Sequence, residues 1–231
     1  MSANEGNAGG DSKVYLRQIE VGPMQNFVYL IGDRERGQAV MVDPAWDVER
    51  LVDLAAGDGM EIVGGLVSHW HPDHTNQVEQ LLTKTKSKLH VHKAEKSILD
   101  KMAGRSEVVT HTGGDVLEVG DVKIRFVHTP GHTPGSQCFL VEIPGGDGAL
   151  VSGDTLFVGA CGRTDFPGGS PEEMWRSLDM LKKLPDSTLL LPGHDYGDRA
   201  ISTIEHERET NAMMLFPSMD AFVQAHLGRR R

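Results

Sequence analysis

Apolar positions along this chain alternate between two periods. Residues 14–18, 27–31 and 39–42 are short apolar-rich runs bounded by glycines and charges, which predicts three strands. Val48, Leu51, Val52 and Ala55 then recur at helical spacing behind Asp47, which is positioned to cap that helix. Residues 62–67 (Ile-Val-Gly-Gly-Leu-Val) predict a further strand, and 75–82 a helix with Val78, Leu81 and Leu82 on one side. Strands are predicted again at 88–92, 122–128, 137–143 and 149–151. In the second of these, Val122, Ile124 and Phe126 alternate with Lys123 and Arg125, the pattern of a half-buried strand. Ser170-Pro171-Glu172-Glu173 has the form of a capping box with proline at the first helical position, ahead of Met174, Leu178 and Leu181. That helix stops by Pro185, residues 188–191 form a strand running into Pro192-Gly193-His194, and a last helix covers 218–227.

Strands run through both halves with helices interspersed. An α/β protein of two mixed sheets packed face to face, helices on the outer faces, fits this order better than one doubly wound sheet. No linker rich in proline, serine or charge divides the chain. Residues 13–231 are therefore expected to be a single domain with a C-terminal helical extension, behind a small polar tail, 1–12, expected to be disordered. A net charge of -10 argues against non-specific nucleic-acid binding, though one local cation would still bind an anionic substrate. No apolar run of about eighteen residues is present to span a membrane as a helix. Two cysteines, Cys138 and Cys161, provide neither a disulfide framework nor a cysteine-built zinc site. With no targeting pattern at the start, a cytoplasmic protein is expected.

Chemistry concentrates at the strand ends. Ser68-His69-Trp70-His71-Pro72-Asp73-His74 carries an H-x-H-x-D-H cluster just after the strand at 62–67. Three imidazoles and a carboxylate at a strand-to-helix junction converge on a small volume and suit zinc, iron or manganese. A histidine-rich surface loop is the plain alternative, and the later motifs weigh against it. Thr129-Pro130-Gly131-His132-Thr133-Pro134-Gly135-Ser136 fixes one histidine in a stiff turn, Ser152-Gly153-Asp154-Thr155 ends a strand in a carboxylate, and Leu191-Pro192-Gly193-His194-Asp195-Tyr196 repeats strand, glycine and histidine. Taken singly, His132 suits a structural role and Asp154 a turn; in series, each after a strand, they specify a metal centre. The remaining histidines, His90, His92, His111, His128, His206 and His226, are expected to play no metal role.

On these motifs the chain resembles the metallo-β-lactamase superfamily, which implies an αββα sandwich with the metal site along one edge of the sheets. In dinuclear members, His69, His71 and His132 would hold one metal, and Asp73, His74 and His194 the other, with Asp154 bridging. The segment from Gly153 through Cys161-Gly162-Arg163 is similar to both glyoxalase II and persulfide dioxygenases. Arg163-Thr164-Asp165-Phe166, His194-Asp195-Tyr196 and the stretch 202–211 are most like the dioxygenase branch. That resemblance implies one Fe(II) per chain on His69, His132 and Asp154, with His71, Asp73, His74 and His194 orienting the ligands. It implies oxidation of glutathione persulfide by O2 to sulfite and glutathione, with Asp73 and His194 catalytic, and a homodimer. Arg163 and Tyr196 would hold the thiol substrate, although Arg163 could instead pair internally with Asp165 or Asp195. The alternative is a glyoxalase II-type hydrolase of S-acylglutathione thioesters carrying two Zn(II) or a mixed Fe/Zn pair.

Overall fold

The computed structural model describes residues 6–7 and 13–228. Of the tail expected to be disordered, 1–5 and 8–12 lie outside the described residues, as do 229–231 of the C-terminal extension. Among the described residues, one sheet has seven strands in spatial order: β1 (Gly6–Asn7), β2 (Val14–Val21), β3 (Asn26–Asp33), β4 (Gln38–Val42), β5 (Glu61–Leu66), β6 (Lys88–His92) and β7 (Val108–His111). Strands β1 to β4 are antiparallel neighbours. From β4 to β7 the strands run parallel. The parallel part needs crossovers, supplied by α1 (Val48–Gly57), by α2 (Pro72–Thr75) with α3 (Val78–Thr85), and by α4 (Lys96–Lys101).

The second sheet has β8 (Val116–Val119), β9 (Val122–His128), β10 (Gln137–Val141), β11 (Ala149–Gly153), β14 (Leu189–Pro192) and β15 (Ser202–Thr203). In space it runs from β15 through β14, β11, β10 and β9 to β8. A small hairpin, β12 (Leu156–Phe157) and β13 (Ala160–Cys161), leaves β11 ahead of α5 (Pro171–Leu181). Helices α6 (Ile204–Thr210) and α7 (Met219–Gly228) follow β15. No helix among the described residues is long and apolar enough to cross a membrane.

Strand β3 shows why the layers form. Every one of its residues is buried. Phe27, Tyr29 and Ile31 enter the core between the sheets with Leu66, Phe126, Phe139 and Leu191. Val28 and Leu30 point the other way, onto Leu51, Ala55 and Leu81 from α1 and α3. Both faces are covered, so the strand reads as a continuous apolar run. Met174, Leu178 and Leu181 of α5, with Phe222 of α7, cover the second sheet's outer face. The expected αββα sandwich is the observed fold.

Some local expectations differ. Asp47 precedes α1 but sits at φ 35° and makes no capping bond; Gln77 Oε1 accepts from Val48 N–H at 2.7 Å instead. The helix expected over 75–82 is split at Asn76–Gln77, whose side chains accept from the Trp46 and Val48 amides. At α5, Ser170 Oγ accepts from Glu173 N–H at 3.2 Å, but the Glu173 carboxylate pairs with Arg176, so only half of the capping box forms.

Candidate metal centre

The strand ends along one edge of the sandwich bring five segments together. Asp43 follows β4, Ser68 to His74 follow β5, His132 lies in the β9–β10 turn, Asp154 follows β11 and His194 follows β14. The two sheets are joined at this edge: Phe27 N–H donates to Gly193 O at 2.8 Å, and Asn26 and His194 pair as an isolated bridge. Gly193 leaves room for the centre, since a Cβ there would lie 2.5 Å from Asp154 Oδ1.

All seven residues expected at the centre converge. His132 Nε2 lies 2.8 Å from His71 Nδ1 and 3.5 Å from Asp154 Oδ2, with His69 Nε2 at 4.0 Å from the same oxygen. On the other side, His74 Nε2 and His194 Nε2 are 3.1 Å apart and lie 3.3 and 3.5 Å from Asp154 Oδ1. Both are also 3.4 Å from Asp73 Oδ2. Three sets have the proximity a metal ion requires: His69 with His71 and His132, Asp73 with His74 and His194, and Asp43 with His69 and His74.

The supporting hydrogen bonds settle which nitrogen faces inward. His132 Nδ1–H donates to Arg163 O at 2.7 Å, and His194 Nδ1–H to Met24 O at 2.9 Å, because a carbonyl only accepts. His74 Nδ1 meets Asp43 Oδ2 at 2.9 Å and His69 Nδ1 meets Ser68 Oγ at 3.0 Å. Asp43 also accepts from Ser68 N–H and Ser68 Oγ–H, so one carboxylate orients both rings. Each of these four imidazoles thus presents Nε2 to the centre. His69 Nε2 and Asp154 Oδ1 are buried with no hydrogen-bond partner, the condition expected of donors shaped for a cation.

Electrostatics agrees with the geometry. Burial, reinforced by neighbouring rings, holds His69 well below the usual imidazole range, His71 at about 4, and His132 lowered as well. These rings keep their lone pairs at neutral pH. Against the cost of burial, Asp154 holds His74 well above that range, and the nearby Asp154 and Asp73 carboxylates raise His194 to about 9. Despite burial, Asp154 and Asp73 are held well below the carboxylate range, chiefly by His74 and His194. Asn26 Nδ2–H also donates to Asp73 Oδ2 at 3.0 Å.

Above the cluster opens a cleft of about 630 Å³, lined by Met24, Trp70, Phe157, Phe166, Arg163 and Tyr196 among others. Tyr196 stacks on His194 at 4.5 Å, and Phe166 meets His71 edge-on at 5.2 Å. Of the two internal partners considered for Arg163, the structure has Asp165, in a two-pronged pair at 2.9 and 2.7 Å. Its guanidinium also lies over Phe166, 4.4 Å from the ring centre.

Asp43 and Asn26 are supporting residues that sequence reasoning did not single out. Asp43-Pro44 ends a strand in a carboxylate, the same local signal as Asp154. Four of the histidines given no metal role meet in pairs: His90 Nδ1 is 2.8 Å from His111 Nε2, and the His92 and His128 rings stack at 3.9 Å. His111 Nδ1 also lies 3.3 Å from Asp115 Oδ2.

A model of the metallo-beta-lactamase superfamily matches residues 21–194, and the chain belongs to that superfamily. With these converging donors, it is a metal-dependent enzyme of that class. Persulfide dioxygenase ETHE1 of Bos taurus is 29% identical over 224 residues, covering 94% of this chain and 82% of its own. The crystal structure of ETHE1 from Myxococcus xanthus superimposes with a TM-score of 0.82 at 30% identity, covering 94% of this chain and 91% of that one. Hydroxyacylglutathione hydrolase of Shewanella halifaxensis is 32% identical over 171 residues, which is 74% of this chain and 62% of the relative.

Proposed function

We propose that this protein is an iron-dependent persulfide dioxygenase, converting glutathione persulfide, O2 and water to glutathione, sulfite and protons. The observation that carries the metal is the pair of buried donors without partners, His69 Nε2 and Asp154 Oδ1, beside the His132 ring. The likeness to persulfide dioxygenases over nearly the whole chain supports the choice of reaction. His69, His132 and Asp154 would hold one Fe(II), two imidazoles and a carboxylate being a set suited to ferrous iron with open positions. When bound, iron supplies the redox chemistry that joins O2 to the persulfide's terminal sulfur.

The chain's own residues position the reactants and manage protons. Asp73, fixed by Asn26, and His194, fixed by Met24 O, hold a proton between them. They are the groups to return it to the departing thiolate. His71 and His74 complete the ring of imidazoles and orient the ligands. Arg163 would exchange Asp165 for a carboxylate of the thiol substrate, while Tyr196 backs the carrier across the cleft. Met24, Trp70, Phe157 and Phe166 line the cleft with apolar surface that displaces water. The sequence resemblance supports a homodimer, and the free thiols of Cys138 and Cys161 accord with a reducing compartment, for which we propose the cytoplasm.

One observation favours a second reading. Asp154 turns Oδ2 to His69 and His132, and Oδ1 to His74 and His194, the layout of a carboxylate bridging two metals. With two Zn(II) or a mixed Fe/Zn pair, the same residues would support glyoxalase II-type hydrolysis of S-acylglutathione thioesters. Elemental analysis of protein produced without metal bias, paired with an oxygen electrode, separates the two. We expect about one iron per chain and oxygen uptake on glutathione persulfide. A ratio near two with zinc dominant, and thioester hydrolysis without oxygen uptake, would replace the dioxygenase with the hydrolase.

A further inference from the structure

Glu95 lies in the turn between β6 and α4 and is 1% exposed. As the residue before α4 it is placed to cap that helix, yet its side chain makes no cap bond. The carboxylate reaches instead to the β9–β10 turn, where Oε1 accepts from Thr133 Oγ1 and from Gly135 N–H, the latter at 3.0 Å. The other side of the link is Trp70, the residue between His69 and His71. Gly135 makes the approach possible, because a Cβ there would lie 2.6 Å from Glu95 Cγ. The Trp70 side chain in turn packs against the cluster containing Ile98 and Met102, just beyond Glu95 in the chain.

Such an arrangement is costly by itself. Glu95 Oε2 is buried without a hydrogen-bond partner, and burial pushes the carboxyl up to about 7. A polar atom buried without a partner and an unused helix cap both disfavour the local fold. Both costs are offset where the geometry they secure is needed, and here that geometry is the spacing of three imidazoles. We propose that Glu95 is a positioning residue of the metal centre, tying the turn that carries His132 to the loop that carries His69 and His71. This rests on the metal centre assigned above, and on neither choice of reaction.

The test compares wild-type protein with Glu95→Ala, Glu95→Gln and Thr133→Val. The zinc dissociation constant is measured by chelator competition, the ligand field by the visible spectrum of the Co(II) form, and folding by thermal unfolding of metal-free protein. We expect Glu95→Ala and Thr133→Val to weaken zinc binding about tenfold to a hundredfold and to change the cobalt spectrum. Glu95→Gln keeps the acceptor facing Thr133 and Gly135 and should bind zinc close to wild type. Wild-type affinity and spectrum in folded Glu95→Ala and Thr133→Val would overturn the proposal, as would a Gln variant as weak as Ala. Should Glu95→Ala fail to fold, Thr133→Val decides alone. A wild-type protein that binds neither zinc nor cobalt would overturn the metal centre, and this proposal with it.

Discussion

His90 of β6 sits between neighbouring strand and facing sheet, with Nδ1 2.8 Å from His111 Nε2 on β7 and its ring 6.4 Å from Phe126 of the second sheet. Burial, then the neighbouring His111 and Lys88, lowers its pKa from 6.5 to about 4. The unfolded chain therefore takes up a proton near pH 6.5, and the folded chain only near 4. Stability from the neutral ring is full above that interval and falls as pH drops through it. At about 1.4 kcal/mol per pH unit the interval is worth at most about 3.5 kcal/mol, of which about 2 kcal/mol is lost by pH 5. Partial solvent screening of the ring reduces that loss to about 1–2 kcal/mol. His92, lowered to about 4 by burial and by His128, acts in the same direction. Urea unfolding of metal-free protein at pH 7 and pH 5 measures the effect. We expect wild type to lose about 1–2 kcal/mol more than His90→Gln between those pH values. An equal loss in both proteins would refute the linkage.

Two substitutions probe the site. Asp154→Asn removes the carboxylate that both imidazole groups face; we expect metal affinity to fall more than about a hundredfold while circular dichroism stays unchanged, since the apolar sheets do not depend on that residue. Retained metal and activity would show that Asp154 is no ligand. Arg163→Ala should raise KM for glutathione persulfide about tenfold with iron content unchanged, the low end for a charge-assisted contact because Arg163 must first leave Asp165. An unaltered KM would remove Arg163 from substrate binding.

The strands and ligand motifs were legible because their signals are local. Phe27 to Ile31 declare a buried strand by composition, and His69, His71, Asp73 and His74 fall within one turn of chain. Asp43, Asn26 and Glu95 were not legible as partners because each acts across long stretches of sequence: Asp43 on Ser68 and His74, Glu95 on Thr133 and Gly135. The same holds for His111, which meets His90 only once β6 and β7 pair, and for His128, which meets His92 only once the sheets pack. Strands β7 and β8 escaped for a different reason. They are four residues each and largely uncovered, so neither shows a clear apolar period. The Asp47 cap failed because tertiary contacts from Gln77 took the amide that Asp47 would have held.

The most direct test of the central claim is oxygen consumption by iron-loaded protein supplied with glutathione persulfide, with sulfite measured in the same sample. We expect one sulfite formed for each O2 consumed, dependence on iron, and loss of both signals in His69→Ala and His132→Ala. Rapid hydrolysis of S-lactoylglutathione by zinc-loaded protein, with no oxygen uptake on persulfide under any metal loading, would contradict it.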